Sequence, residues 1–527
     1  MKVIKLYFNL LACLLVLAAG KTVRAQEIGS PNPASGCDTV NGTRFNLESR
    51  VNAVPQHSES VDFMLSRVSS GVDLVVGAAD DNRGDFHGFK GFPLLGRDSY
   101  FVHRSGSNCA ADFEGSLSTN SLGTPTVVAD RARDAFFLSD LLSSSGSLLV
   151  EVGHTTAANL LSPAACPNGT QDAGQTARCW PILGIANFTP NAGIQAALVH
   201  PHIAVDPRTS GIGAGDVYVA GQFINSTNFP AIANVQIIAC TNLSVNCGSP
   251  VVASGTDTFG SFPYIQVRSD GTITVSYWTF TQPNDGHQPN PIDIKFVTCT
   301  PQGAPKPPVC STPARVATSK VPAGFAPAGN GFLDTLFPKH TNRLESDGKT
   351  VTTFLIYDRC RSIIGKSSSA EPCSKVDVVL AASTDNGATW TMPRLVSTAA
   401  GHQYMGAIHT DASTNITSIA YYSTQHDQFE QRVQLVLNQI QANSTTVGPG
   451  SILTSAANDP SSGIADLTEP GAQGVVDFGD RIGIAAAGTG TNGQSRLYVH
   501  YTWNNVAGIS NGVPQPDPNN TLLVFPY

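Results

Sequence analysis

The sequence predicts an all-β protein, a β-propeller with four-stranded antiparallel blades. One unit recurs seven times: a short apolar strand, a polar turn carrying Gly or Asp, and a second alternating strand. Apolar residues alternate with a period of two, and helical periodicity beyond two turns is nearly absent. Gly (49) and Pro (34) are spread along the chain, which is typical of many tight turns. We therefore expect seven blades, with six as the alternative.

The recurring unit is clearest in PHIAVDPRTSGIGAGDVYVAGQF, FPYIQVRSDGTITVSYWTF and MGAIHTDASTNITSIAYYST. The spacing of the copies suits four short strands plus loops, the content of one propeller blade. One stretch, residues 427–441, has a pattern that also fits a helix, but VQLVLNQI falls where its blade needs a third strand, so we predict a strand. The copies start at Val61, Thr124, Pro201, Phe262, Phe337, Met405 and Gly474.

The ends of the chain differ in composition from its middle. Lysines precede the apolar run Leu10–Ala19, and small side chains precede Gln26, which predicts a cleaved signal peptide and an exported or secreted protein. The apolar run is shorter than the roughly 20 residues of a membrane-spanning helix. The predicted organisation is a signal peptide (1–25), an N-terminal arm (26–60), the propeller (61–507) and a C-terminal tail or closing strand (508–527). The last blade shows three strands, so TRFNLES near residue 43 or the terminal TLLVFPY is expected to complete it.

Charge excludes one class of partner. Only 13% of residues are charged and the formal net charge is −8, which becomes −12 when the signal peptide takes Lys2, Lys5, Lys21 and Arg24 with it. The chain contains no basic run, so we expect no nucleic-acid partner. No membrane span is expected in the mature chain either.

Ten of the eleven cysteines remain after Cys13 leaves with the signal peptide. In an exported protein, an even number of cysteines at short spacing predicts disulfides that staple hairpin loops. Zinc is the alternative, but the chain has no CxxC motif and its cysteines are scattered. The expected pairs are Cys37 with Cys109, Cys166 with Cys179, Cys240 with Cys247, Cys299 with Cys310, and Cys360 with Cys373.

The segment STDNGATW places Ser383, Asp385, Gly387 and Trp390 at S-x-D-x-G-x-x-W spacing. Gly387 can take a positive φ in a hairpin turn, Asp385 can accept backbone N–H groups there, and Trp390 can pack beneath it. This segment resembles the Asp box of the sialidase (BNR-repeat) propeller superfamily. The resemblance implies a structural role for these four residues on the propeller rim.

The same resemblance would imply exo-sialidase chemistry, with three arginines, a Tyr–Glu nucleophile and an Asp acid/base. The family's first arginine lies in an Arg-Ile-Pro signature. No Arg-Ile-Pro occurs in this chain, and Arg481-Ile482-Gly483 is the nearest match, in another blade. The arginine triad is therefore not assigned to residues here.

Three long loops rich in ionisable residues follow the second strands of their blades. In a propeller these loops gather around one mouth of the central channel, where a glycan or glycoconjugate could bind. Solvated loops with local ion pairs are the alternative for each residue. The candidate binding residues are Asp80, Asp81, Arg83, Asp358, Arg359, Tyr421, Tyr422 and Asp427.

No cofactor is expected, and two metal hypotheses remain open beside that expectation. Asp80, Asp81 and Asp85 place several oxygen donors close together, as Ca²⁺ requires, but outside an EF-hand register. His200 and His202 alternate on one strand and could share a metal, or form a structural pair.

Two function classes remain open from the sequence. The first is a protein that binds or processes carbohydrate at the channel mouth, including glycoside hydrolysis of a sialidase-like kind. The second is a non-catalytic recognition or scaffold propeller for protein or cell-surface partners, because unrelated functions share this fold.

Overall fold

The computed structural model describes residues 26–28, 56–65, 73–81, 97–104, 112–118, 121, 123–144, 147–188, 196–225, 232–257, 259–280, 292–319, 324–327, 334–364, 372–454, 482–487, 496–510 and 513–526. Within them the protein is an all-β propeller whose blades are antiparallel and built on four strands, as the sequence predicts. Two short helices, α1 (Ala157–Leu160) and α2 (Ala173–Cys179), were not predicted.

Six blades are each formed by one continuous stretch of chain. From the channel outwards, blade 1 consists of β2 (Gln56–Leu65), β3 (Asp73–Asp81), β4 (Arg97–Arg104) and β5 (Phe113–Gly115), and blade 2 of β6 (Thr126–Asp130), β7 (Ala135–Ser144), β8 (Ser147–Thr156) and β10 (Ile182–Ala186). In the same order, blade 3 consists of β11 (Ala196–Val205), β12 (Val217–Asn225), β13 (Ile232–Cys240) and β14 (Val251–Val252), and blade 4 of β15 (Gly260–Val267), β16 (Ile273–Phe280), β17 (Ile292–Thr300) and β18 (Val309–Cys310). Blade 5 consists of β22 (Lys339–Leu344), β23 (Val351–Cys360), β25 (Val376–Ser383) and β26 (Arg394–Leu395), and blade 6 of β27 (Gln403–Thr410), β28 (Thr417–Ser423), β29 (Gln434–Ile440) and β30 (Ser451–Ile452).

A further sheet is composite, because it combines strands from both ends of the chain. Its order is β31 (Gly483–Ala487), β32 (Arg496–Ser510), β33 (Val513–Pro526) and β1 (Gln26–Ile28). Residues 521–526 of TLLVFPY lie in its third strand, and its fourth strand is formed by residues 26–28; TRFNLES lies outside the described residues. Seven blades were expected, with six as the alternative, and the structure has six continuous blades, so the expectation of seven is wrong. The chain around β31 and β32 forms the composite sheet instead, because its other strands come from the two ends of the chain.

The innermost strands surround a central channel. Each contacts the next in the order β2, β6, β11, β15, β22, β27, β31, and β31 contacts β2. The remaining strands are additions: β9 (Gly169–Thr170) pairs with β5, β19 (Ala314–Ser319) pairs with β17, and a small sheet joins β20 (Gly324–Pro327), β21 (Asp334–Thr335) and β24 (Pro372–Cys373).

The cores lie between neighbouring blades. Period-two alternation puts one face of each strand on the blade before it and the other on the blade after it, so nearly every side chain of a central strand is buried. In β25, for example, all eight residues of VDVVLAAS are buried. The stretch 427–441 forms a strand, β29, as predicted.

Candidate functional site

The channel has two ends that the strand directions define. Innermost strands begin, and second strands end, at what we call the upper mouth; third strands run with the innermost ones and end at the lower mouth. The predicted binding residues on β3, β23 and β28 all lie towards the upper mouth.

Four innermost strands begin at the upper mouth with the same distortion of the backbone. In β11, β15 and β27 the register shifts between Val199 and His202, between Ser261 and Tyr264, and between Tyr404 and Ala407. β2 shows the same shift between His57 and Ser60. These are β-bulges, which bend a strand and re-aim its side chains, often beside functional sites.

Three of the bulges carry a non-glycine residue with positive φ. The values are 51° at His200, 52° at Phe262 and 54° at Met405, and Thr124 has 57° just before β6. Left-handed backbone is costly for residues with a Cβ, most of all for bulky ones, and it persists only where the surroundings impose it. The placement of these side chains therefore carries a cost in conformational energy, which contacts in the surrounding structure must offset.

The bulges of blades 3 and 4 build an aromatic wall, which we define as His200, His202, Phe262, Tyr264 and Phe337. His200 stacks on Phe262 with ring centroids 3.8 Å apart, and His202 lies against Tyr264 at 4.2 Å. Phe337, from the start of blade 5, meets both Phe262 and Tyr264 edge-on. The two histidines, Phe262 and Tyr264 are each partly exposed.

Trp278 lies behind this wall, near Phe262 and Phe280. Its ring is buried, and its indole Nε1 has no hydrogen-bond partner among the described residues. A buried donor without a partner costs free energy.

A buried cation and a buried carboxylate complete this side of the mouth. Lys339 Nζ lies 5.1 Å from the centroid of the Phe337 ring. Asp358 accepts hydrogen bonds from the backbone N–H of Met405 (2.7 Å) and of Gly406 (3.4 Å). Burial raises the pKa of Asp358 to about 6, although these N–H groups and the Lys339 charge oppose the rise. Asp358 therefore stabilises the bulge of β27 in blade 6 through these two hydrogen bonds.

Of the other predicted residues, Arg359 stays at the surface and the two tyrosines do not. The Arg359 side chain is 36% exposed and lies 3.8 Å from Asp377. Tyr421 is buried between blades and donates to Asn438 Oδ1 at 2.7 Å. Tyr422 is buried against Tyr404. Both tyrosine rings are needed to fill the blade interfaces, so the expectation that they present a surface at the mouth is wrong.

Asp427 shapes a loop at the upper mouth. Its carboxylate accepts the backbone N–H groups of Phe429, Gln431 and Arg432. Desolvation alone would raise the pKa of Asp427, but these bonds and the Arg432 charge outweigh it and lower the pKa. The turn leaves the Phe429 ring 69% exposed. Asp427 is thus the residue that presents an exposed aromatic ring.

The remaining predicted residues lie in less fully described parts of the chain. Asp80 and Asp81 are at the end of β3, and Asp80 pairs in register with His57 beside the bulge of β2. Arg83 and Asp85 lie outside the described residues. Within the described ranges, no group of three His, Cys, Asp or Glu side chains could hold a metal ion. His200 and His202 stack on separate aromatic rings instead of converging.

The STDNGATW segment forms the turn after β25, at the lower mouth. Ser383 Oγ donates to Asp385 and accepts the Gly387 N–H at 2.9 Å, and Asp385 accepts the Thr389 N–H at 2.9 Å. Trp390 Nε1 donates to the Gly387 carbonyl at 3.0 Å, and its ring meets Phe296 of blade 4 edge-on. These contacts hold one turn against the neighbouring blade, far along the channel from the aromatic wall.

Four of the predicted disulfides are present: Cys166–Cys179, Cys240–Cys247, Cys299–Cys310 and Cys360–Cys373. The predicted Cys37–Cys109 pair lies outside the described residues. Four disulfides are consistent with an extracellular protein. Among the helices of the described chain, none has the length and apolar character needed to cross a bilayer.

No protein-family model and no curated protein matches the sequence. Three solved structures illustrate what the fold is similar to. A protein of unknown function from Dyadobacter fermentans is 11% identical, with 92% of this chain and 97% of that chain covered and a TM-score of 0.43. The polysaccharide lyase Uly1 is 10% identical (96% and 98% covered, TM-score 0.42), and an ulvan lyase from a new polysaccharide lyase family is 8% identical (90% and 94% covered, TM-score 0.41).

These likenesses are too distant to transfer any residue or reaction to this chain. The resemblance to sialidases likewise has no family match behind it and rests on the STDNGATW segment. The function therefore has to be argued from the residues of the channel.

Sequence reasoning missed the aromatic wall, although the sequence carries its signal. A residue followed by Pro recurs at the starts of four innermost strands, in Thr124-Pro125, His200-Pro201, Phe262-Pro263 and Phe337-Pro338. Proline lacks an N–H and fixes its own φ, so it marks positions where strand pairing is interrupted. Aligning these dipeptides brings His202, Tyr264 and Lys339 to equivalent positions at the top of the channel.

Proposed function

We propose that the protein binds carbohydrate at the upper mouth of its central channel, on the aromatic wall of blades 3 to 5. The observation that carries the proposal is the pair of partly exposed ring contacts, His200 with Phe262 and His202 with Tyr264, built on strained bulges. Sugar rings combine apolar C–H faces with a rim of hydroxyls. Sites for such ligands combine aromatic surface with a few placed polar groups.

The polar groups needed for orientation lie beside the wall. Trp278 Nε1 is a buried donor behind it, and Tyr264 also lines the channel below the mouth. Burial raises the pKa of Tyr264 to about 12, so its hydroxyl stays protonated at neutral pH and can donate. Lys339 adds a positive charge that suits a carboxylate or sulfate substituent.

The loops singled out by their sequence form the outer part of the proposed site. Their described residues are Asp80 and Asp81 at the end of the second strand of blade 1, Arg359 near the end of that of blade 5, and Asp427 after that of blade 6. Phe429, which Asp427 positions, adds a further exposed ring at that end. A site of this extent suits an oligosaccharide better than a single sugar.

Binding is favoured over hydrolysis by the state of Asp358. A glycosidase needs two carboxyl groups at the scissile bond, one as acid and one as nucleophile or base. Asp358 is 4% exposed and holds two backbone N–H groups, so it serves the bulge instead of a ligand. The aromatic wall itself contains no carboxyl group, so we propose a recognition propeller.

A glycan array followed by isothermal titration calorimetry tests this function. Tyr264→Ala should weaken binding of array ligands by about tenfold or more, because it removes both ring and hydroxyl. Trp278→Phe keeps an aromatic ring and deletes the indole N–H, so a loss of about fivefold is expected. Leu243→Ala is the matched control: Leu243 is 76% exposed, in the turn after the third strand of blade 3, at the lower mouth.

The outcomes separate the function classes. Glycan binding that depends on Tyr264 and not on Leu243 supports the proposal. If the protein hydrolysed fluorogenic glycosides in a screen, the proposed recognition function would be wrong and the protein would be a glycosidase. No binding to any glycan would leave the protein-recognition class and refute carbohydrate binding.

A further inference from the structure

The channel below the aromatic wall is a cavity of about 410 Å³. All the innermost strands of the ring contribute to its lining, from Tyr264 and Lys339 at the top to Arg131 and Ser413 at the bottom. This volume falls within the range of small-molecule sites, about 300–1,000 Å³. It has room for a short saccharide and is walled on all sides by strands.

The lower part of this cavity contains an ion pair. Arg131 Nη2 contacts Asp62 Oδ1, and the other carboxylate oxygen of Asp62 accepts the Ala129 N–H at 2.8 Å. The two side chains belong to neighbouring blades and are 38% and 11% exposed. A guanidinium beside a carboxylate offers donors and acceptors to adjacent hydroxyls of one sugar.

A histidine from blade 6 faces the same space. His409 Nε2 lies 3.0 Å from the Ala486 carbonyl oxygen, and since that oxygen can only accept, Nε2 carries the proton. Desolvation lowers the pKa of His409, with the Asp62 charge opposing this effect and the Arg131 charge adding to it. Neutral His409 therefore keeps Nδ1 as an acceptor.

One more polar side chain, Gln266, links this group to the aromatic wall. Gln266 lines the cavity two residues after Tyr264 and is partly exposed. The Asp62 charge also acts on Tyr264, which places blades 1 and 4 within electrostatic reach across the channel. Polar groups from blades 1, 2, 4 and 6 thus line one stretch of the channel below the wall.

We propose that this channel subsite, defined as Asp62, Arg131, Gln266 and His409, binds the terminal sugar of a glycan that enters end-on. This inference rests on the proposed carbohydrate binding and specifies the direction in which the glycan enters the channel. A chain lying across the upper mouth would touch the aromatic wall but would miss the ion pair, because Arg131 follows β6 at the lower end of the channel. A chain that enters along the channel axis can meet both sets of groups at once.

The test uses an array of linear hexasaccharides of xylan, arabinan, glucan and glucuronan, each printed through its reducing end and, separately, through its non-reducing end. For the ligand bound by the wild-type protein, one orientation should give at least about ten times the affinity of the other. Gln266→Ala and Asp62→Asn should bring the two orientations to within about twofold, because the wall binds either.

Folding of each variant is checked by thermal unfolding. Gln266→Ala keeps the test valid if Asp62→Asn unfolds, because the bond between Gln266 and Asn342 is long, 3.4 Å. Equal affinity in both orientations, whether from a chain across the mouth or one threaded through the channel, would overturn end-on binding alone. Absence of binding to every glycan would overturn the proposed function with it.

Discussion

At the residue scale, Asp358 shows how a side chain chosen as a ligand contact can serve the fold. Its position on β23 is one that recurs: in β12 the equivalent Gln222 accepts a hydrogen bond from Ser261, the residue before the next blade's bulge, at 2.7 Å. Both side chains reach across a blade interface to fix the start of an innermost strand. Asp358 does so by accepting backbone N–H groups at the bulge, and Gln222 by accepting the Ser261 hydroxyl.

Asp358 should give the protein a specific pH dependence. Its pKa is raised from 3.8 to about 6, so the folded protein binds this proton more tightly than the unfolded chain does. Stability from this group is therefore present at low pH and is lost as the pH rises from about 4 to 6. Asp358→Asn cannot ionise, so relative to wild type its free energy of unfolding should rise across this window, by up to about 3 kcal/mol.

Denaturant unfolding at several pH values measures that difference. Asp347→Asn is the matched control, because hydrogen bonds from the Thr350 hydroxyl and from the backbone N–H groups of Lys349 and Thr350 lower the pKa of the exposed Asp347. The ionised Asp347 carboxylate stabilises the fold at neutral pH, and this contribution is lost on acidification. Asp347→Asn should therefore have a lower free energy of unfolding than wild type near neutral pH only. If the stability of both variants relative to wild type changed with pH in the same direction, the raised pKa assigned to Asp358 would be contradicted.

At the element scale, the turn after β25 illustrates how a hairpin is fixed by its neighbour. Gly387 has a φ of +83°, and a Cβ built there would lie 2.4 Å from the Phe296 ring of blade 4. Asn386 Oδ1 also accepts from Arg268 of blade 4 at 2.7 Å. The turn is specified by its own chain and by the blade against which it packs.

Two glycine substitutions separate these two constraints. Gly348, in the turn before β23, has a φ of +66° with nothing within 4 Å of a built Cβ. Gly348→Ala should therefore cost only the left-handed backbone, about 1–2 kcal/mol. Gly387→Ala adds the collision with Phe296, so a further loss of about 1–3 kcal/mol is expected from overpacking. Chemical denaturation of both variants measures this, and equal losses would show that Phe296 moves aside freely.

At the scale of the whole molecule, the composite sheet connects the two ends of the chain. β33 pairs with β32 over nearly its full length, and Gln26–Ile28 pairs with residues 522–524 of β33. The sheet lies between blade 6 and blade 1, since β31 contacts both β27 and β2. Ring closure therefore depends on strands that are about 500 residues apart in the sequence.

Truncation tests this closure. Deleting residues 511–527 removes β33, leaves β32 as an exposed edge and separates β1 from β33, its partner strand in the described part of the chain, so we expect loss of several kcal/mol and aggregation. Deleting residues 1–25 is the control and should leave the thermal midpoint unchanged. An unchanged midpoint after the C-terminal deletion would show that the ring is stable without this sheet.

Local patterns were enough to predict several features. Alternation in stretches such as VDVVLAAS and VQLVLNQI gave strands, because burial on both faces of a blade requires it. Short cysteine spacing gave four disulfides, because each closes a loop within or beside one blade. The two short helices were missed because α1 has four residues and α2 seven, too few for a helical period to show.

The sequence by itself determined the all-β propeller class and these disulfides, since both follow from contacts between residues close in the chain. Only the tertiary structure decided which polar and aromatic side chains share a space. The sequence pattern predicted Tyr421 and Tyr422 as ligand contacts, but both are buried between blades. Asp62 and His409 lie in strands with no distinguishing sequence pattern, yet both line the channel. The physical reason is that alternation shows only that a strand has two faces; the packing of neighbouring blades determines which positions border the open channel.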